Sequence, residues 1–279
     1  MTTPAKSVIN HDLIVAARQG LLPVRENSWL GGFRNMLQKE LSWWWGTSAW
    51  WIQTLIWILL MNGVTTIVAI QAMQSSGMQP NEVLQNVTQT FLEIGAFAVA
   101  IGTIITLQGT VVGEKQSGTA AWVMSKPASR SAFILAKIVG NGLGFWVTAI
   151  IVPATIFVVE MQLLIPAPLP LSNYLIALAL LMLSQLFYLI LTVMLGTFFT
   201  SRGPVTGIGI GFILSGMLFK GFLPLVVMVI TPWLLPQIGN ALIFGLPLPS
   251  IWFVPIAVTT IWIVIMTVLA LWRFGREEF

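Results

Sequence analysis

The sequence predicts an all-α, polytopic membrane protein with six transmembrane helices, and three observations carry that expectation. Of 279 residues, 57% are hydrophobic and only 8% are charged. Soluble domains carry roughly 25% charged residues, so this chain lacks the polar surface needed to face water. Its apolar stretches run unbroken instead of alternating with period two, which selects helices over barrel strands. Its basic residues gather in alternate connecting segments, as in a chain threaded back and forth through a bilayer.

Taken in order, residues 1–30 are polar and mixed in charge, and read as a cytoplasmic segment. They hold no apolar core before a small-residue cleavage site, so no secretory leader is expected. Residues 31–279 form the membrane domain, opening with an amphipathic interfacial helix over 31–47. Phe33, Met36, Leu37, Leu41 and Trp44 recur there at helical spacing, with Arg34, Gln38, Lys39 and Ser42 on the other face. Trp43, Trp44 and Trp45 are expected at headgroup depth. Spans follow at about 50–72, 91–112, 138–159, 175–199, 204–222 and 251–272, each near the ~20 residues that cross ~30 Å of hydrocarbon. Between the last two lies an apolar segment broken by Pro224, Pro232, Pro236, Pro247 and Pro249. Prolines this frequent interrupt a full crossing, so a short re-entrant or interfacial helical pair is expected there.

Charge supports the count of six. Five cations precede the first span (Lys6, Arg18, Arg25, Arg34, Lys39). Lys115, Lys126, Arg130 and Lys137 follow the second, Arg202 follows the fourth, and Arg273 and Arg276 follow the last. These are 12 of the 13 basic residues. With six spans all twelve share one side, and the opposite loops hold no Lys or Arg. The positive-inside rule then places both termini in the cytoplasm.

The segment 113–137 has the most specific punctuation. Glu114 and Lys115 close the second span, and Gly118-Thr119 opens a short apolar run through Trp122. Ser125-Lys126-Pro127 breaks that run, and Ser129-Arg130 starts the next helix. Serine hydroxyls as caps and a proline near a helix start are known start signals. The expected product is a short helix lying across the cytoplasmic face, fixed by turns at both ends. A bare connector needs only a few residues.

The pattern E-K-x-x-G-T, an apolar stretch, S-x-P-x-S-R and a Lys seven residues on resembles the cytoplasmic loop of type-2 ATP-binding-cassette (ABC) permeases. The interfacial helix, the six spans and the broken helices before the last span are similar to that family too. The resemblance implies the permease subunit of a bacterial exporter in the cytoplasmic membrane. In such proteins this loop is the coupling helix and docks on a separate cytoplasmic ATPase, which binds ATP and magnesium. Two permeases, identical or homologous, assemble with two ATPases. Carried over, Glu114, Lys115, Gly118, Thr119, Trp122, Lys126, Pro127, Arg130 and Lys137 are the ATPase-coupling positions. Residues 1–30 are not required by the family pattern.

Inventory excludes several rivals. Gly109, Gly113 and Lys115 lack the G-x-x-x-x-G-K-[ST] spacing of a phosphate loop, so the chain is expected to be no enzyme and to bind no cofactor itself. With one histidine (His11) and one aspartate (Asp12), both N-terminal, neither a paired-aspartate protease nor a histidine metal site fits within the spans. The absence of cysteine removes disulfides and thiolate sites. Nothing points to nucleic acid. Glu93 and Lys220 are candidate polar residues on the transport path or a subunit interface, with an outer-interface position as the simpler alternative. Gly207, Gly209, Gly211 and Gly216, and likewise Gly140, Gly142 and Gly144, read as small faces for packing within the subunit, with a dimer contact as the alternative. Against the exporter stand a secondary transporter or channel, which wants charges deep in several spans, and a scaffold recruiting a cytoplasmic complex through the same loop.

Overall fold

The structure, a computed structural model, describes residues 29–74, 77–126, 128–219 and 222–278. Its described elements are helical throughout, and six helices are long and apolar enough to cross a membrane. The chain is a multi-pass membrane protein. Helix α1 (Phe33–Gly46) precedes the first span, α2 (Ala49–Gln74). Helix α3 (Pro80–Leu107) returns, and a turn leads to α4 (Val112–Gln116) and α5 (Thr119–Met124). Helix α6 (Arg130–Leu164), α7 (Leu171–Phe198) and α8 (Arg202–Phe219) are the next three spans. Short helices α9 (Leu225–Val229) and α10 (Leu235–Phe244), joined through a 3₁₀ turn at Pro232–Leu234, precede the last span, α11 (Val254–Gly275). At five and ten residues, α9 and α10 are too short to cross, which agrees with the short helical pair, re-entrant or interfacial, expected from the prolines.

Local chemistry sets the ends of these elements. Helix α3 starts on Pro80 behind a reciprocal cap between Gln79 and Glu82, so it begins eleven residues before the apolar run at 91 that marked the span in the sequence. The polar stretch 80–90 hid this start. Ser129 caps α6 by accepting a hydrogen bond from the Ala132 N–H at 3.0 Å. Helix α10 ends at Gly245, whose φ of 63° suits glycine. Both α2 and α6 carry a π-helical stretch, Ile58–Asn62 and Trp146–Ile151.

Helix α7 is the hub. It packs on α3, α6, α8, α10 and α11, and its Tyr174 extends a ring cluster with Phe157 of α6 and Phe91 of α3, centroids 6.0 and 4.3 Å apart in turn. Outward positions carry exposed apolar side chains such as Leu59, Leu163 and Leu175, suited to lipid.

Helix α1 departs from its expected place in one respect. It is separate from α2, broken at 47–48, and Trp43 and Trp45 are exposed, but Trp44 is fully buried. Glycines of α6 explain this. A Cβ at Gly140 would lie 2.6 Å from the Cβ of Glu40, and one at Gly144 would overlap the Trp44 indole. Two glycines one turn apart on α6 thus receive two side chains one turn apart on α1. The Trp44 Nε1 donates to Asn141 Oδ1 at 3.1 Å, and its ring meets Phe145 edge-on at 5.1 Å. A wholly buried indole with its N–H satisfied is energetically sound, which headgroup depth would not require.

Helix α8 departs as well. Gly209 packs against Ile104 and Gly216 against Trp233, but Gly207 and Gly211 have nothing within 4 Å of an added Cβ. The G-x-x-x-G pair is therefore not a packing face within this subunit.

Gly140→Ala and Gly144→Ala should each destabilise the protein by about 1–3 kcal/mol, the usual cost of overpacking. Gly142→Ala, whose Cβ would meet only Leu189 at 3.9 Å, should be neutral or slightly stabilising. Thermal unfolding of the three variants in one detergent checks the contrast.

Candidate functional site

The loop singled out in the sequence lies at one end of the bundle, together with α1, the starts of α6 and α8 and the end of α11. We call this the basic end. The loop is built by a positive-φ glycine: Gly118, at φ 72° and ψ 0°, turns the chain out of α4 and into α5. A Cβ there would touch nothing, so backbone conformation rather than space demands glycine. Thr119 starts α5, its hydroxyl 2.8 Å from that of Ser117. The far end is closed by Ser129, whose hydroxyl donates to Trp29 O at 2.6 Å and whose N–H donates to Gly31 O at 2.9 Å. Before α5, Gln116 Nε2 donates to Thr200 O at 2.7 Å. A helix of six residues is thus tied on one side to the end of α7 and on the other to the segment that leads into α1.

The charged residues of the loop do not share one role. Lys137, 2% exposed, donates to Glu40 Oε1 at 2.9 Å and to Glu114 Oε1 at 2.7 Å. Lys39 reaches the same Glu114 oxygen at 2.9 Å, and Asn141 Nδ2 donates to Glu40 Oε2 at 3.3 Å. Lys115 pairs with Glu277 at 2.9 Å and donates to Thr197 O at 3.1 Å, while Arg273 holds the other Glu277 oxygen at 2.8 Å. Arg130 donates to Gly275 O at 2.5 Å. Four of the positions that the resemblance assigns to coupling, Glu114, Lys115, Arg130 and Lys137, are engaged within the chain and tie α1, α4, α6, α7 and α11 together. A cation so close to the bundle is stable only where carboxylates and carbonyls meet it, and these positions supply them.

What remains outward is narrow. Trp122 is 61% exposed, and the Lys126 ammonium sits 3.7 Å from its ring centroid. Ala120 is buried, and Val123 and Met124 pack on the core. Of the apolar run, then, one side seats the helix and Trp122 faces out, flanked by Lys126 and the exposed Gly118 and Ser125. Pro127 and Lys220 lie outside the described residues, as do His11, Asp12 and the segment 1–28.

Glu93 is not at the start of its helix, which begins at Pro80. It lies about three and a half turns into α3, where Gln89 Nε2 and Gln237 Nε2 donate to its Oε1 at 2.7 and 3.2 Å. It borders a cavity of about 290 Å³ between α3, α7, α8 and α10, walled by Phe97, Tyr188 and Trp233. The short helix α10 therefore contributes to the same chamber as Glu93 of α3.

Glu40, Asn141, Trp44 and Glu277 are the functional neighbours that the pattern of the loop did not reveal. A signal for Glu40 existed. Lys137 sits between Ala136 and Ile138 within an apolar helix, and a lysine there calls for a carboxylate. Glu40 lies on the amphipathic helix that precedes the first span.

One protein family matches residues 50–279, from the first span through the last residue. The chain belongs to that family, described as "Protein of unknown function (DUF2705)". No curated protein matches it. The DUF2705 match covers Glu114, Lys137, Asn141 and the whole loop but begins after α1. The ion-pair network therefore joins the matched region to a helix that lies before it.

Lys137→Met should leave Glu40 without a cation beside Glu114, which keeps only Lys39, and cost about 3–5 kcal/mol. Adding Glu114→Gln to that variant should restore part of the loss. Thermal unfolding of the single and double variants tests this, and strictly additive losses would contradict the network.

Proposed function

We propose that this chain is the transmembrane permease subunit of an ATP-driven ABC exporter, coupled to separate cytoplasmic ATPase subunits through the loop 113–137. The single observation that carries the reading is α5: a short helix tied at one end to α7 and at the other to the segment leading into α1, presenting Trp122 with Lys126 over its ring. A membrane subunit driven by ATP hydrolysed elsewhere needs a stiff lever with an exposed anchor, because force on a floppy loop would not reach the spans. The straps convert a push on α5 into movement of α1, α6, α7 and α11 together. An exposed tryptophan flanked by a cation is the kind of residue that dominates binding energy once an interface covers it.

On this reading the basic end faces the cytoplasm of a bacterium, both termini are cytoplasmic, and the bilayer is the inner or plasma membrane. The chain pairs with a second permease, identical or homologous, and the partner ATPases hold ATP and magnesium. The Glu93 chamber is the polar point on the translocation path, and its apolar, aromatic walls favour an amphipathic or lipid-like cargo.

The inward cations are poor probes of coupling, since their loss damages the fold first. The test is affinity recovery from native membranes through a C-terminal tag, wild type against Trp122→Ala with Lys126→Ser. The reading expects a P-loop ATPase with the wild type and about ten-fold less of it with the variant, at unchanged thermal stability. Recovery of the chain alone, or of partners that bind no nucleotide, refutes it.

A further inference from the structure

A second cavity, of about 750 Å³, opens at the basic end, and neither the ion-pair network nor coupling accounts for it. It is lined by Lys39, Glu40, Glu114, Lys137 and Arg202, with Trp43 at its wall and the turn Gly109–Gly113 along its floor. Three cations stand against two carboxylates, which leaves one positive charge in excess. Both carboxylates are engaged: Glu40 by Lys137, and Glu114 by Lys137 and Lys39.

Arg202 is different. Among the described residues its guanidinium has no hydrogen-bond or ion-pair partner. It lies instead across two glycines one turn apart. A Cβ at Gly109 would come within 3.1 Å of its Cζ, and one at Gly113 within 3.3 Å of its Nη2. The chain has left a side-chain-free bed for a guanidinium that binds nothing of its own. A second atom is also unmet. Glu114 Oε2 is buried and has no hydrogen-bond partner among the described residues, so it awaits a donor.

We propose that this cavity binds the head of an acidic phospholipid of the phosphatidylglycerol kind. The phosphate pairs with Arg202, and a headgroup hydroxyl donates to Glu114 Oε2. A guanidinium fork matches phosphate oxygens, and one negative charge cancels the excess. A phosphocholine head brings its own cation and no donor, so it meets neither need. Free phosphate offers the same chemistry to Arg202. The lipid is favoured by the exposed indoles of Trp43, Trp45, Trp50 and Trp51 around this end, because tryptophans gather at headgroup depth. Basic pockets between spans are known places for acidic heads. This site stands independently of the coupling reading.

The experiment titrates the purified full chain in detergent with dioleoylphosphatidylglycerol, dioleoylphosphatidylcholine or inorganic phosphate, reading the thermal midpoint. Phosphatidylglycerol should stabilise the wild type, and the other two should not. Arg202→Gln should bind phosphatidylglycerol about five-fold more weakly, with its lipid-free midpoint unchanged. Gly109→Val, which fills the bed of the guanidinium, should show the same loss. Arg276→Gln, which removes an exposed charge at the same end, should respond like the wild type. A wild-type response from Arg202→Gln or Gly109→Val overturns the site, as does equal stabilisation by phosphatidylcholine. Stabilisation by inorganic phosphate through Arg202, as strong as by the lipid, overturns the lipid in favour of a soluble phosphate.

Discussion

Lys137 is an ammonium at 2% exposure, and the basic end of the molecule is arranged around the need to neutralise it. Removing a charge from water costs several kcal/mol, recovered only with good geometry and satisfied partners. Here the partners come from two other elements: Glu40 of α1 and Glu114 of α4, at 2.9 and 2.7 Å. Each brings its own helix to a fixed place. Because Glu40 must reach Lys137, α1 must lie close along α6, and the close approach needs Gly140 and Gly144 where side chains would otherwise stand. Because Glu114 must reach it too, α4 cannot drift, and the loop that follows starts from a fixed point. The position of α5 is thus a consequence of charge burial some distance away.

This arrangement divides the loop into two faces with different duties. The charged residues that make its sequence distinctive are structural: Glu114, Lys115, Arg130 and Lys137 bind the spans to one another. The face left to water is small and centred on Trp122 and Lys126. In the coupling reading that division is useful, since a docking helix must be stiff toward its own bundle and sticky toward its partner. The same division changes how variants are interpreted, because loss of partner binding on replacing Glu114 or Arg130 would report damage to the fold as readily as damage to docking.

Much of the fold was legible in the sequence because its determinants are local. Span number follows from apolar length, and the gathering of cations at one end of the bundle from the placement of Lys and Arg. The short helical pair before the last span follows from prolines, and the cap at Ser129 from its position before an apolar run. What escaped depends on contacts between distant segments. The early start of α3 at Pro80 was masked by the polar residues 80–90, which are helical because of the cap at Gln79 and not because of hydropathy. Burial of Trp44 depends on glycines a hundred residues away. The openness of Gly207 and Gly211, and the place of Glu93 beside α10, follow from how helices pack, which periodicity within one helix does not encode. The charged loop positions were found by pattern, but their inward direction was not, since spacing tells which residues are present and not which way each one points.

In the proposed orientation the loop presents one face, centred on Trp122 at the basic end, to the cytoplasm. The chain contains no cysteine, so single cysteines report cleanly. Sealed membrane vesicles of both orientations carrying Trp122→Cys, Ala120→Cys or Gln79→Cys would be treated with a membrane-impermeant maleimide. The account predicts rapid labelling at 122 from the cytoplasmic side only, protection at 120 within the same short helix, and labelling at 79 from the opposite side only. Equal reactivity at 120 and 122, or labelling of 79 and 122 from the same side, would contradict it.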